Sequence, residues 1–228
     1  MKRFNRFLII TMLSVVFMGQ ALAGALTDYA ENKIIDFQYR GQTLTAPAHY
    51  FGLIVANKGY WVASTAYALN DYVLPATPNG HLYKATTAGT SAASAPAFPT
   101  TAGATVADGT VVWTEQTTAL EAGTFPEVSG GSYARVSVTG SLANFAGTQG
   151  AGTTLASTGT SGTTSNNIAI TFPAPTANWG VIFGWVDVDA LTAGNAWVYT
   201  ALTTPKTVNS GDAAPSFSAG ALTFQIDN

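Results

Sequence analysis

Beyond residue 41 the chain reads as strands and turns, short apolar runs cut by Gly, Pro and Asn. Runs of that length bounded by turn residues read as strands. They fall at residues 50–56 (YFGLIVA), 133–138 (YARVSV), 167–172 (NIAITF), 179–188 (WGVIFGWVDV), 197–202 and 222–226. In the second run Tyr133, Arg135 and Ser137 share one face, and Ala134, Val136 and Val138 the other. The run at 179–188 is apolar on both faces, as a strand covered on each side would be. One segment differs. Leu26, Tyr29, Ala30, Ile34 and Phe37 recur at three- and four-residue spacing, Asp28 stands where it complements a helix dipole, and Gly41 supplies a stop. The expectation is an all-β, β-sandwich-like domain with one N-terminal helix over residues 26–40.

Charge narrows the function. Only 9% of the 228 residues are charged, against about 25% in an ordinary soluble domain. A coiled coil or long helical bundle has too little Glu, Lys and Arg to draw on. Nine Lys and Arg are too few for general phosphate neutralisation, so nucleic acid is not an expected partner. There is no cysteine. Disulfides and thiolate zinc sites are excluded, and the apolar core alone must hold the fold.

The basic residues Lys2, Arg3 and Arg6 precede an uncharged apolar run and then Ala21-Leu22-Ala23. This is the layout of a secretory signal peptide over residues 1–23, with cleavage after Ala23. A retained membrane anchor is the alternative, because no charge occurs from residue 7 to residue 27. Either reading places the protein outside the cytoplasm, exported to periplasm or medium, or on the surface of a particle.

Two stretches, 85–109 and 147–165, are largely Thr, Ala, Gly and Ser. They read as solvated loops, although Thr favours extended backbone and the second could hide an edge strand. Residues 59–119 carry an aromatic set of their own and the turn signal Asn79-Gly80, with candidate strands at 71–74, 81–85 and 110–114. The expectation is a small three-stranded β module inserted into a scaffold formed by residues 24–58 and 120–228.

Catalytic motifs are missing from the sequence. His49 and His81 are the only histidines and neither lies in a motif. No nucleophile elbow or phosphate-binding loop with its lysine occurs. No enzymatic activity and no cofactor are expected. Asp187 and Asp189 are two apart, so a strand would place both on one face, where they are weak candidates for Ca²⁺. The aromatic residues Trp61, Tyr67, Tyr72, Tyr83 and Trp113 are the candidate ligand-binding set, since rings stack on sugar faces. The competing role for them is the module's own miniature core.

Five segments carry a resemblance. They are LTDYAENKIIDF (26–37), EVSGGSYARVSV (127–138), NNIAITFPAPTANWG (166–180), ALTTPKTVNSGD (201–212) and FSAGALTFQID (217–227). In this order they resemble small virion structural proteins of tailed bacteriophages and prophages, tail-fibre-like or decoration-like. The inserted segment, YWVASTAYALNDYVLPATPNGHLYKATTAGTS and its continuation to Trp113, is similar to chitin-binding-type carbohydrate-binding modules. The resemblance implies a non-enzymatic virion protein that decorates a particle or fibre and displays the module outward. Its partners would be other copies of itself and other virion proteins, with host-surface polysaccharide as a further partner. The alternative is a secreted bacterial glycan-binding protein or adhesin that uses the aromatic module.

Overall fold

The computed structural model describes residues 25–146 and 162–225. The leader at 1–23 and residues 147–161 of the second Thr/Gly stretch lie outside the described residues. The chain runs β1 (Ala25–Leu26), α1 (Asp28–Tyr39), β2 (His49–Ala56), β3 (Ala66–Tyr67), β4 (Tyr72–Val73), β5 (Tyr83–Thr87), β6 (Gly89–Thr90), β7 (Thr105–Asp108) and β8 (Val111–Glu115). It continues through α2 (Thr117–Glu121), β9 (Val136–Val138), β10 (Thr163–Ser165), β11 (Ile170–Thr171), β12 (Gly180–Val188), β13 (Ala196–Val208), β14 (Ser216–Phe217) and β15 (Thr223–Gln225). The architecture is all-β and sandwich-like, as expected.

The main sheet is antiparallel, in the order β1-β13-β12-β2-β9. Its two faces follow from the period of two along β2. Phe51, Leu53 and Val55 point to one side and Ile54 and Ala56 to the other. On the first side they meet Trp185, Leu202, Phe172, Phe217 and Leu222. The ribbons β10-β15 and β11-β14 lie within this layer. On the second side they meet Val186, Val188, Leu74, Leu82 and Leu120. Strand β12 is therefore covered on both faces.

A bulge between Ile182 and Gly184 interrupts the pairing of β12 with both neighbours. It puts Ile182 and Trp185 on the same face although they are three apart. Gly184 allows it, because a Cβ there would lie 2.2 Å from the Thr200 carbonyl oxygen.

Helix α1 is pinned at its start. Thr27 is its N-cap, accepting from the Ala30 amide at 3.4 Å. The Thr27 amide donates to the Trp197 carbonyl at 3.1 Å, and its hydroxyl donates to the Ala196 carbonyl. Tyr29 sets its edge on Trp197 with ring centroids 5.4 Å apart. The apolar stripe read from the sequence is spent unevenly. Ala30 is buried, but Phe37 is 52% exposed, because the helix leaves the sheet after its first turns.

Residues 59–119 hold a four-stranded sheet, β4-β5-β8-β7, and the ribbon β3-β6. The sequence reading had three strands; β7 is the fourth. Its TVAD run sits in a stretch that composition marked as loop, and pairing with β8 makes it a strand. The two are joined through Gly109, whose φ of 62° suits a primed turn with glycine at the first central position. Likewise, 163–165 of the second Thr-rich stretch pairs with β15 as β10.

Candidate functional site

The register of β2 against β12 builds the most chemically distinctive spot. Asp187 pairs with Phe51, so His49, two residues earlier on the same face of β2, is its diagonal neighbour. The His49 ring nitrogen Nδ1 and Asp187 Oδ2 are 2.7 Å apart. Asp187 is 3% exposed. The acid sits at the edge of an aromatic layer of Phe51, Trp185 and Phe224, whose ring centroids lie 5.2–6.1 Å apart. Phe145 rests on His49 at 5.3 Å.

Burial pushes the Asp187 carboxyl above its ordinary range, while the His49 hydrogen bond and the Tyr50 backbone amide pull it back. The bond to Asp187 raises His49, against its own burial. Both groups favour their protonated forms, so the pair keeps its shared proton to higher pH than an isolated histidine would.

This pair borders a pocket of about 480 Å³. Ile34 walls it on the helix side, and Leu26, Phe145, Val198 and Phe224 on the other. His49 and Asp187 are the titratable groups among its described lining residues.

The five aromatic candidates form no open platform. Tyr83 and Trp113 are fully buried, and Trp61 and Tyr67 are nearly so. Trp61 Nε1 and Trp113 Nε1 both donate to Asp108 Oδ2, at 2.7 and 2.9 Å. Tyr67 stands edge-on to Trp113 at 4.8 Å, and Tyr83 donates to the Pro99 carbonyl at 2.8 Å. These four rings make the core of residues 59–119. Tyr72 alone among the five is half-buried, with Lys84 Nζ 5.9 Å from its ring centre. Asp108, the acceptor that orients both indoles, carried no signal in the sequence beyond standing before a glycine turn.

The two carboxylates considered for Ca²⁺ have different work. Asp187 is taken by His49. Asp189 closes the β12–β13 loop, accepting from the Asn195 amide at 2.7 Å and its side chain at 2.9 Å. Among the described residues no group of three or more His, Asp or Glu is arranged to hold a metal ion. His81, which lies in no motif, also pairs with a buried acid: its Nδ1 is 2.8 Å from Glu115 Oε1.

A polar knot stands on the far side of β2. Arg135 Nε and an Nη donate to both oxygens of Glu127, at 2.8 and 2.7 Å, and the other Nη donates to the Ala190 and Ala193 carbonyls, each at 2.7 Å. Tyr133 donates to Glu127 at 2.8 Å and accepts from the Leu53 amide at 2.8 Å. Every strong group has a partner, so the knot locks β2, the segment before β9 and the 189–195 loop together.

The class follows from a family match: the chain is a phage fibre-type structural protein. The chain is a member of the family described as podophage GP4 fiber I protein gp80, whose profile matches residues 112–225, half of its length. The match runs from β8 to β15 and takes in the polar knot and both ribbons of the first core layer. A search of curated proteins found no match. The matched family names a fibre protein and not a carbohydrate-binding module, so the likeness of the inserted segment to chitin-binding modules gains no support.

Proposed function

We propose that the protein is a non-enzymatic structural component of a phage or prophage fibre, carried on the virion surface. The family match over residues 112–225 is the observation that supports this reading. Residues 59–119 would be a module inserted into the scaffold formed by 24–58 and 120–228. Its base would sit on the main sheet through Leu74 and Leu82, with the ribbon β3-β6 turned outward. Its partners would be further copies of the chain and neighbouring virion proteins, since particle proteins act through repeated contacts. Antibody labelling of purified virions in the electron microscope tests this. Label along the fibres is the expected result, and particles free of the chain by mass spectrometry overturn it.

Host-surface polysaccharide as a further partner would run through Tyr72, the candidate ring that keeps part of its surface in solvent. A glycan array comparing the protein with Tyr72→Ala reads this directly. Binding that Tyr72→Ala abolishes would support it, and a blank array would remove it.

A further inference from the structure

We propose that Asn79 is a site of spontaneous deamidation, the Asn79-Gly80 turn closing on itself to release ammonia and leave a carboxylate at position 79. The turn lies between β4 and β5, in a stretch exposed throughout residues 76–80. Asn79 Oδ1 accepts from the His81 amide at 3.1 Å, which makes an Asx turn. A side chain folded back this far carries its Cγ over the intervening Gly80 amide. Among the described residues that amide donates no hydrogen bond. Gly80 has no side chain to shield it, and even a Cβ there would meet nothing within 4 Å.

The reaction is an intramolecular substitution. The Gly80 nitrogen loses its proton to hydroxide and attacks Asn79 Cγ. A new C–N bond forms, the bond from Cγ to Nδ2 breaks, and ammonia leaves with a proton from water. The product is a five-membered succinimide. Water then adds to one of the two ring carbonyls and opens the ring. One opening gives aspartate; the other gives isoaspartate, whose main chain runs through the side-chain carbon. Nothing is oxidised or reduced.

The consequence falls on Tyr83. Asn79 Nδ2 donates to the Tyr83 hydroxyl at 2.7 Å, and that hydroxyl gives its single proton to the Pro99 carbonyl at 2.8 Å. A carboxylate at position 79 can only accept. It either faces the Tyr83 oxygen with no proton between them, or draws the hydroxyl away from Pro99. Both arrangements weaken the tie between β5 and the segment carrying Phe98, whose ring packs on Tyr83 with centroids 4.5 Å apart.

Timed incubation of the full 228-residue chain in mildly alkaline buffer, followed by mass spectrometry of tryptic peptides, reads the reaction. Asn70 lies in the same peptide, between Lys58 and Lys84, and is the internal reference. The amide that would attack it, that of Asp71, is engaged by the Ala68 carbonyl at 3.1 Å. Asn79 should gain one mass unit faster than Asn70 by roughly tenfold or more, equal to about 1.4 kcal/mol in barrier. Mildly acidic buffer should slow it, because the attacking amide must lose a proton. Asn79→Asp, on an exposed turn, supplies the product directly and should lower the urea midpoint for loss of tryptophan fluorescence. An Asn79 that stays intact or converts no faster than Asn70 overturns the proposal, as does a rate that acid leaves unchanged. An Asn79→Asp midpoint equal to that of the parent overturns the consequence drawn for Tyr83.

Discussion

Asp108 shows how much one side chain can organise. Its Oδ2 accepts from two indoles and its Oδ1 from the Ala92 amide at 2.9 Å. Removing it would strand two buried indole donors and the partly buried Ala92 amide. Asp108→Ala is expected to destabilise residues 59–119 by about 3 kcal/mol, seen as an earlier loss of tryptophan fluorescence on urea titration. Tyr133 is the comparable residue of the scaffold. Burial, with the Glu127 carboxylate beside it, pushes its hydroxyl pKa far up, so it stays a donor at every working pH. Tyr133→Phe leaves the Leu53 amide without its acceptor and should cost about 2 kcal/mol, read as a lower midpoint in chemical denaturation. The His49–Asp187 pair sets a pH dependence. His49 is raised above its ordinary 6.5, so the stability it contributes is complete below that value and fades as pH climbs through the raised one. Asp187, also raised, acts in the same direction. Glu115 and Asp189 are lowered and have already delivered their share above 4.5. Thermal melts should fall in midpoint from pH 6.5 upward, and His49→Gln should flatten that slope.

At the level of elements, β12 was readable because an apolar run covered on both faces leaves no doubt about its surroundings. The start of α1 was readable for a similar reason, since an acid in the first turn and an apolar stripe are local signals. Strand β7 was hidden, because TVAD has no apolar alternation and gains its ladder only from β8. The run at 133–138 was read too long: only Val136–Val138 pairs, as Tyr133 and Arg135 are drawn into the Glu127 knot. The bulge in β12 was equally invisible, although Gly184 marks it in retrospect. Gly184→Ala would drive a Cβ to 2.2 Å from the Thr200 oxygen, so β12 and β13 must part there. The expected loss is more than 2 kcal/mol, measurable as reduced amide protection along both strands.

Across the whole molecule, the main sheet depends on cover from both sides. Ile54, Val181, Phe183 and Val186 have Leu74 and Leu82 of the 59–119 segment over them. Excising that segment would bare a contiguous apolar face. The trimmed protein should aggregate or bind hydrophobic dye, in contrast to the parent chain, and centrifugation separates the two outcomes. The four buried rings belong to the same lesson. Their spacing announced that they act together, but not whether they face sugar or one another, since a small sheet needs large side chains to fill its core.

What the sequence determined by itself is local: where the main strands fall, the N-terminal helix, the turn glycines, and a cysteine content that left the fold without disulfides. These rest on neighbours a few residues apart. The tertiary structure alone decided which groups meet. His49 and Asp187 lie 138 residues apart, and Trp61 and Asp108 lie 47 apart. The first pair exists because the register of β2 against β12 brings both side chains onto one face, and the second because the segment carrying Trp61 folds over the end of β7.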